Sequence, residues 1–443
     1  MATLKVIFKN NSGLSDKLVS IGFVSGSTTA PFSINYPSSN PLEPLELEIQ
    51  PLNQIKGEGN WYSFEQLKNG ISIENFSGRI YISYGQTWSV LNPGYEPAQN
   101  ITDVNFFLRY DKMELTFNGN PADVADLTSI DYWSIPMQLE TYLNETTVQT
   151  DNGIKTGVTS LAIYSQLNAL TTPPQSGLKN ALPALVPGSF TQLPTQPGTG
   201  FARIIGPSSY PPVGGVPVTP YNLFEGYLND LIKNFGPTTA VGETIPGLGK
   251  GVIATISGKF NGVGPNVPAS GPQSAQTYDL TASIDASGDI TLSGTVESIK
   301  GTTTIVYKKS DLINPSGIYG ANAPFFLDGA KLPQNPANDV YGWITGDLLA
   351  GLNIGAIGSE TTINGTKVGA MTSSEWFTIP NTSLFSNLQS SASNYNQYAA
   401  TLQNLSDAYN FAYSDRFSPV LVSLNPATVN TLQISLLNVA QPM

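Results

Sequence analysis

The segment Met113-Glu-Leu-Thr-Phe-Asn118 carries polar side chains at alternate positions. In a strand, Glu114, Thr116 and Asn118 share one face, and Leu115 and Phe117 share the other. The apolar pair suits a core, and the polar row suits a surface or a groove. After a short loop, Leu127-Thr-Ser-Ile-Asp-Tyr-Trp133 reads as the next strand and brings a second carboxylate, Asp131. Two carboxylates on neighbouring strands can flank one glycosidic bond. One would hold a proton for the leaving oxygen, and the other, ionised, would activate water. A separation of ~6.5–9.5 Å between them gives inversion, and ~5–5.5 Å gives retention. The same polar row is also what the solvent face of an ordinary strand looks like.

Composition narrows the chemistry. The 443 residues include no His and no Cys. That removes Ser-His-Asp triads, imidazole acid–base catalysis, His-based zinc sites, thiol nucleophiles and disulfides. Asp, Glu, Lys, Tyr, Ser and Thr remain, and paired carboxylates are the simplest arrangement among them. A net charge of −12 repels phosphate backbones, so no nucleic-acid partner is expected. No apolar run is long enough for a membrane span. The N-terminus, Met1-Ala-Thr-Leu-Lys-Val-Ile-Phe, reads as a strand and lacks the pattern of a secretory signal. The scattered acids form no EF-hand loop, and Gly247-Leu-Gly-Lys-Gly251 lacks the spacing of a phosphate loop. Asn75 and Asn144 stand in Asn-x-Ser/Thr sequons, uninformative without a host.

Other side chains could join the carboxylates. Tyr81, Tyr110, Tyr132 and Trp133 could stack on sugar rings, although aromatics more often fill cores. Asp415-Arg416 reads either as a structural ion pair or as a groove lining, and Asp347 and Glu375 read as solvated or structural.

The elements that would position these groups are mostly strands. Gly and Pro number 42 and 33, which favours turn-rich β architecture. Strand patterns occur at Leu45–Ile49, Gly78–Tyr84, Phe106–Tyr110, Met113–Phe117 and Ser129–Ile135. In Gly78–Tyr84, Ile80 and Ile82 face one way, and Arg79, Tyr81 and Ser83 the other. Helical spacing appears over 157–170 and Tyr221–Phe235, where Gly236-Pro237 stops it. Residues 173–220 are dense in Pro and Gly and read as a long connection with a short strand at Phe201–Ile205. Strands return over Thr277–Ile284, Ile290–Ile299 and Thr303–Tyr307. Helices follow at Val340–Leu352, Thr382–Leu388 and Tyr395–Tyr409, with a last strand at Thr431–Leu437. A final strand can rejoin the first sheet. The expected division is a β domain of residues 1–145 with 415–443, and a mixed α/β domain of residues 146–414 inserted in it.

Several of these segments resemble glycoside hydrolase family 64, the β-1,3-glucanases related to thaumatin-like proteins. Ser77-Gly-Arg-Ile-Tyr-Ile-Ser83 is similar to an early strand of that family, and Glu114-Leu-Thr-Phe-Asn118 to its Glu-Phe-Thr-Tyr-Asn strand. Leu127–Asp131 followed by Ile135-Pro136 resembles the strand carrying its second acid. Phe201–Ile205, Tyr395–Ala399 and Ala408–Arg416 resemble further family segments, in the same order. The resemblance implies a mainly β fold, a thaumatin-like barrel with a mixed α/β domain and a wide groove between them. It implies endo-hydrolysis of β-1,3-glucan with inversion, releasing short oligosaccharides. It makes Glu114 the general acid, Asp131 the general base, and Thr116, Asn118 and Thr128 sugar contacts. It implies no metal or cofactor, and action outside the cell, with the export route open. The chain departs from the family in lacking a Trp in the loop between the two acids. In a regular strand Thr128 would also face away from Asp131. A non-catalytic β-glucan-binding protein on the same scaffold, or an antifungal or toxin protein, is the alternative.

Overall fold

The computed structural model describes residues 2–26, 33–35, 61–88, 96–97, 103–172, 183–188, 201–210, 219–237, 248, 251–262, 274–297, 301–327, 330–332, 340–417 and 420–438. The chain forms two compact units. One comprises Met1–Gly206, Thr401–Asn410 and Pro419–Met443, and the other Pro207–Ala400 and Phe411–Ser418.

The first unit is almost entirely β. In chain order its strands are β1 (Leu4–Asn10), β2 (Val19–Ser25), β3 (Ser33–Asn35), β4 (Trp61–Ser63), β5 (Ile71–Tyr84), β6 (Arg109–Phe117) and β7 (Val124–Leu127). Then come β8 (Tyr132–Trp133), β9 (Met137–Leu143), β10 (Thr146–Asn152), β11 (Leu185–Pro187) and β12 (Phe201–Ile205). The second unit carries β13 (Val252–Gly262), β14 (Ser274–Ile284), β15 (Ile290–Val296), β16 (Thr303–Tyr307), β17 (Phe325–Leu327) and β18 (Ala330–Leu332). It also holds the hairpin β19 (Thr362–Ile363) and β20 (Thr366–Lys367). The chain then returns to the first unit with β21 (Val422–Ser423) and β22 (Thr431–Leu436).

In the first unit the main sheet runs β10-β9-β22-β1-β5-β6-β7-β21. β2 and β3 also pair with β5, and β4 pairs with β2. The late strand β22 lies between β1 and β9, parallel to β1 and antiparallel to β9. The sheet nearly closes on itself. The Gln149 amide of β10 donates to the Leu421 carbonyl at 2.7 Å and accepts from the Ser423 amide at 3.0 Å, joining the two terminal strands by a side chain. The alternation seen in the sequence fills the interior. Ile80, Ile82, Met113, Leu115, Phe117, Leu432 and Ile434 are buried together. β8, β11 and β12 make a small separate sheet.

The second unit is built on the antiparallel order β13-β14-β15-β16-β17-β18. Against β13 lies the helix Val340–Ile354, which is buried nearly all round. A helix so enclosed takes one polar group only with full pairing. Asp347 in its middle accepts hydrogen bonds from Tyr278 and Ser373, both at 2.7 Å, and pairs with Arg416. Burial pushes this carboxyl above its ordinary value despite the opposing guanidinium. Arg416 itself lies 3.8 Å from the Trp343 ring centroid. The ion pair expected between Asp415 and Arg416 is therefore Asp347–Arg416. Glu375 is structural, closing a capping box with Thr372 at the helix Ser373–Trp376.

Several sequence expectations shift. The strand expected over Phe106–Tyr110 begins at Arg109, because Asp103 folds the preceding residues into a turn by accepting from the Asn105 amide. Of Ser129–Ile135 only Tyr132 and Trp133 pair in a strand, because the Asp111 carboxylate takes the Ser134 and Ile135 amides. Thr382–Leu388 forms two 3-10 turns instead of a helix, since Phe385 adopts φ 58°. The boundary expected at residue 146 falls within the β9–β10 hairpin, and the chain stays in the first unit to Gly206. Residues 411–418 belong to the second unit, where Asp347 anchors Arg416. The strand pattern at Leu45–Ile49 lies outside the described residues.

Candidate active site

The polar face of β5 and β6 carries the site. The antiparallel register sets Ser77 opposite Thr116, Arg79 opposite Glu114, and Tyr81 opposite Lys112. On the other side of β6, Glu114 faces Asp126 of β7 and Thr116 faces Val124. Leu115 and Phe117 point the other way, into the core. Beside Glu114 opens a pocket of about 240 Å³, lined by Val24, Ser77, Gly78, Arg79, Glu114 and Thr116 among others. The Ser77 and Thr116 hydroxyls meet at 2.9 Å.

Glu114 is exposed, and its Oε1 lies 3.2 Å from the Arg79 Nε. Arg79 reaches in the other direction to Glu96, 3.6 Å away. Glu96 also pairs with the Lys112 ammonium at 3.1 Å and accepts from the Tyr81 hydroxyl at 2.9 Å. Lys112 then contacts Asp131, with Nζ 2.6 Å from Oδ2. Glu114, Arg79, Glu96, Lys112 and Asp131 thus form one chain of alternating charge that joins both acids anticipated from the sequence.

Lys112 has an unusual seat. Its side chain is 4 % exposed, and its ammonium lies 5.2 Å from the Tyr132 ring centroid. Burial alone would lower its pKa, but Asp131 and Glu96 together outweigh burial and raise it. The ammonium is therefore a permanent partner for Asp131. Burial, aided by the Glu96 charge, pushes the Tyr81 phenol up to about 12, so it remains a donor to Glu96.

Asp131 sits where the chain leaves the β6–β7 ladder. β7 ends at Leu127, and the Tyr409 strand segment takes over. The Ser129 amide donates to the Tyr409 carbonyl, and the Tyr409 amide to the Leu127 carbonyl, both at 2.7 Å. Thr128 makes its own bridge to Tyr409. This break resolves the alternation problem, since Asp131 and Thr128 are no longer in one regular strand. Asp111, buried on the core side of β6, accepts from the Ser134 and Ile135 amides at 2.9 and 2.8 Å. Burial pushes that carboxyl up to about 7 against the pull of those amides. Gly206 closes the other side, donating to the Asp131 carbonyl at 2.7 Å. A β-carbon there would collide with the Ile130 carbonyl and lie 3.0 Å from that of Asp131.

The remaining expected contacts divide. Thr116 lines the pocket. Asn118 is exposed at the end of β6, where Asp123 fixes the loop by accepting the Asn118 and Asn120 amides. Tyr81 and Trp133 do not offer faces to a sugar. They are 1 % and 2 % exposed, and Trp133 packs on Tyr164. Asp415 is exposed on a 3-10 turn of the second unit. Sequence reasoning missed Glu96, Lys112 and Asp126. Lys112 could have been found, since it is the only cation on the Glu114 face of its strand. Glu96 stands in a stretch without strand or helix periodicity and gave no signal. Among the described residues no group of three or more potential metal ligands occurs, and no helix is long and apolar enough to cross a membrane.

Comparison with known proteins identifies the family. The model of the family described as Beta-1,3-glucanase, glycoside hydrolase family 64, matches residues 27–249, just over half the chain and all of the charged chain described above. No curated protein matches. Among solved structures, a laminaripentaose-producing beta-1,3-glucanase in complex with laminaritetraose is similar over 99 % of both chains, with 19 % identity and a TM-score of 0.55. A GH64 beta-1,3-glucanase domain from Clostridium beijerinckii is similar over 98 % of both chains, with 13 % identity and a TM-score of 0.54. These likenesses extend the mainly β fold to nearly the whole length. The chain belongs to glycoside hydrolase family 64, the β-1,3-glucanases, and is a glycoside hydrolase.

Proposed function

We propose that the protein is an endo-acting hydrolase of β-1,3-glucan that inverts the anomeric centre, with Glu114 as general acid and Asp131 as general base. The substrate class rests on the family and on the laminaritetraose-bound structural neighbour. The observation that carries the role assignment is the buried Lys112 ammonium at 2.6 Å from Asp131. A carboxylate so paired stays ionised and is suited to take a proton from water. Glu114 lines the pocket, where a glycosidic oxygen can reach it, and its Arg79 partner is 41 % exposed and already in reach of a second carboxylate. When Arg79 turns to Glu96, Glu114 can carry the proton that it donates to the leaving oxygen. Lys112 and Glu114 are one repeat apart on one face of β6, ~7 Å between Cα atoms, so the cation paired with Asp131 shares the face of the proposed acid.

The hydroxyls of Thr116 and Ser77 and the amide of Asn118 are available for the sugar hydroxyls, and Thr128 stands at the Asp131 end. The thaumatin-like barrel, closed by strands from both ends of the sequence, and the separate mixed α/β unit are the architecture that this reading expects. Action on extracellular glucan follows from the same reading.

Incubation with laminarin, with products followed by chromatography and anomeric NMR, tests it. Short oligosaccharides released first as the α-anomer are expected, with activity lost in Glu114→Gln and Asp131→Asn and the fold retained. Retained hydrolysis in both variants refutes the assignment. Binding to insoluble β-1,3-glucan without products identifies a non-catalytic glucan-binding protein.

A further inference from the structure

Arg79, which contacts Glu114, and Lys112, which contacts Asp131, both also contact Glu96. Its carboxylate holds Lys112 at 3.1 and 3.3 Å and the Tyr81 hydroxyl at 2.9 Å, and lies 3.6 Å from Arg79. Its side chain is only 20 % exposed. A surface carboxylate with no task gains little from such pairing.

The charges show what this carboxylate does. With Glu114 ionised, Glu114, Glu96 and Asp131 carry three negative charges against the two positive charges of Arg79 and Lys112. With Glu114 protonated, Glu96 and Asp131 balance the two cations one for one. Without Glu96 the balance reverses: two cations would match ionised Glu114 and Asp131, and a proton on Glu114 would leave a positive excess. The other titratable groups around the cluster are Asp126 on β7, Tyr81 on β5, Tyr132 on β8 and Asp111 on the opposite face of β6. These groups are present in parent and variant alike, Asp111 with its carboxyl pushed up to about 7, and leave the direction unchanged.

We propose that Glu96 is a positioning residue for hydrolysis, which holds Lys112 against Asp131 and gives Arg79 a second carboxylate to occupy when Glu114 takes up its proton. The proposal rests on the acid and base roles assigned above. Glu96 acts through the two cations.

The test is Glu96→Gln, which keeps shape and hydrogen bonding but removes the charge, with Glu96→Asp as the charge-conserving control. On laminarin, both limbs of the pH profile of kcat/KM should move to lower pH in Glu96→Gln, by roughly 0.5–1 unit, the low end of what one neighbouring charge does to a carboxyl. In Glu96→Asp the limbs should stay near those of the parent protein. A merely structural role would lower the rate at every pH and leave the limbs in place, and that result overturns the proposal. A second readout does not depend on turnover. The ¹³C titration of the Asp131 carboxyl should shift to lower pH in Glu96→Gln, because Lys112 then serves Asp131 alone. An unmoved Asp131 titration overturns the proposal even if the parent protein hydrolyses laminarin. A moved one, with hydrolysis retained in Asp131→Asn, would leave the coupling of Glu96 to Asp131 through Lys112 standing and place the failure in the acid–base assignment.

Discussion

Asp151 offers a sharp test of the electrostatics of the first unit. It lies on β10, 4 % exposed, and one carboxylate oxygen accepts the Leu127 amide at a long 3.4 Å. The other oxygen, Oδ1, is buried without a hydrogen-bond partner. Burial, with the Asp407 charge adding to it, pushes this carboxyl from 3.8 up to about 7. The folded state thus keeps the proton over a range where the unfolded chain has released it. The stabilisation is fully present below about 3.8 and is lost as pH rises through about 7. About three units at ~1.4 kcal/mol each set a ceiling of ~4 kcal/mol on the penalty at neutral pH. Asp151→Asn removes the ionisation and retains an acceptor for the Leu127 amide. Burying the amide costs about 1–2 kcal/mol of that gain, which leaves a net stabilisation of roughly 2–3 kcal/mol at about pH 7.5. Near pH 4 the ionisation gain falls to about 0.5 kcal/mol, so the amide cost dominates and the variant should be about 0.5–1.5 kcal/mol less stable than the parent. Urea unfolding followed by tryptophan fluorescence at the two pH values measures the difference. Equal destabilisation of the variant at both would mean that the carboxylate is ionised and well solvated in the fold, and would refute the reasoning.

Two further substitutions probe the frame around the site. Gln149→Ala removes both hydrogen bonds that join β10 to the segment of β21, and at ~1 kcal/mol each it should cost about 2 kcal/mol and raise amide exchange of Ser423 first. Gly206→Ala forces a methyl group against the Ile130 and Asp131 carbonyls, so it should cost about 1–3 kcal/mol and lower kcat more than it raises KM. An unchanged kcat in Gly206→Ala would mean that the Asp131 backbone tolerates displacement.

The regular elements were legible because burial obeys their periods. Phe201–Ile205 and Thr303–Tyr307 match their strands residue for residue, and the Met113–Phe117 alternation put Glu114 and Leu115 on the correct faces. What escaped the sequence was decided by single side chains acting on distant backbone. Asp111 spends its carboxylate on Ser134 and Ile135, which breaks the expected strand and sets Asp131 on a bend. Tyr81 and Trp133 have the residue types of a sugar platform, and only packing against Trp88 and Tyr164 shows them to be core. The two acids could be named from one strand and its neighbour. The cations that govern them required the register between β5 and β6 and the position of a non-periodic residue, Glu96. Neither is encoded in local spacing.

The central place of β22 has a consequence for how the protein is made. During synthesis β1 emerges first and β9 follows, yet the strand that joins them is produced only after the whole second unit. Until then both strands present unpaired backbone edges, and the Asp131 bend gains its Tyr409 support only when residue 409 has emerged, late in the same sequence. The second unit has its own sheet of sequential neighbours and can form on local contacts while the ribosome is still at work. The first unit must wait, closing its longest loop last. A nascent chain stalled before residue 431 should therefore hold a folded second unit beside an open sheet vulnerable to mispairing, a natural client for chaperones that shield strand edges.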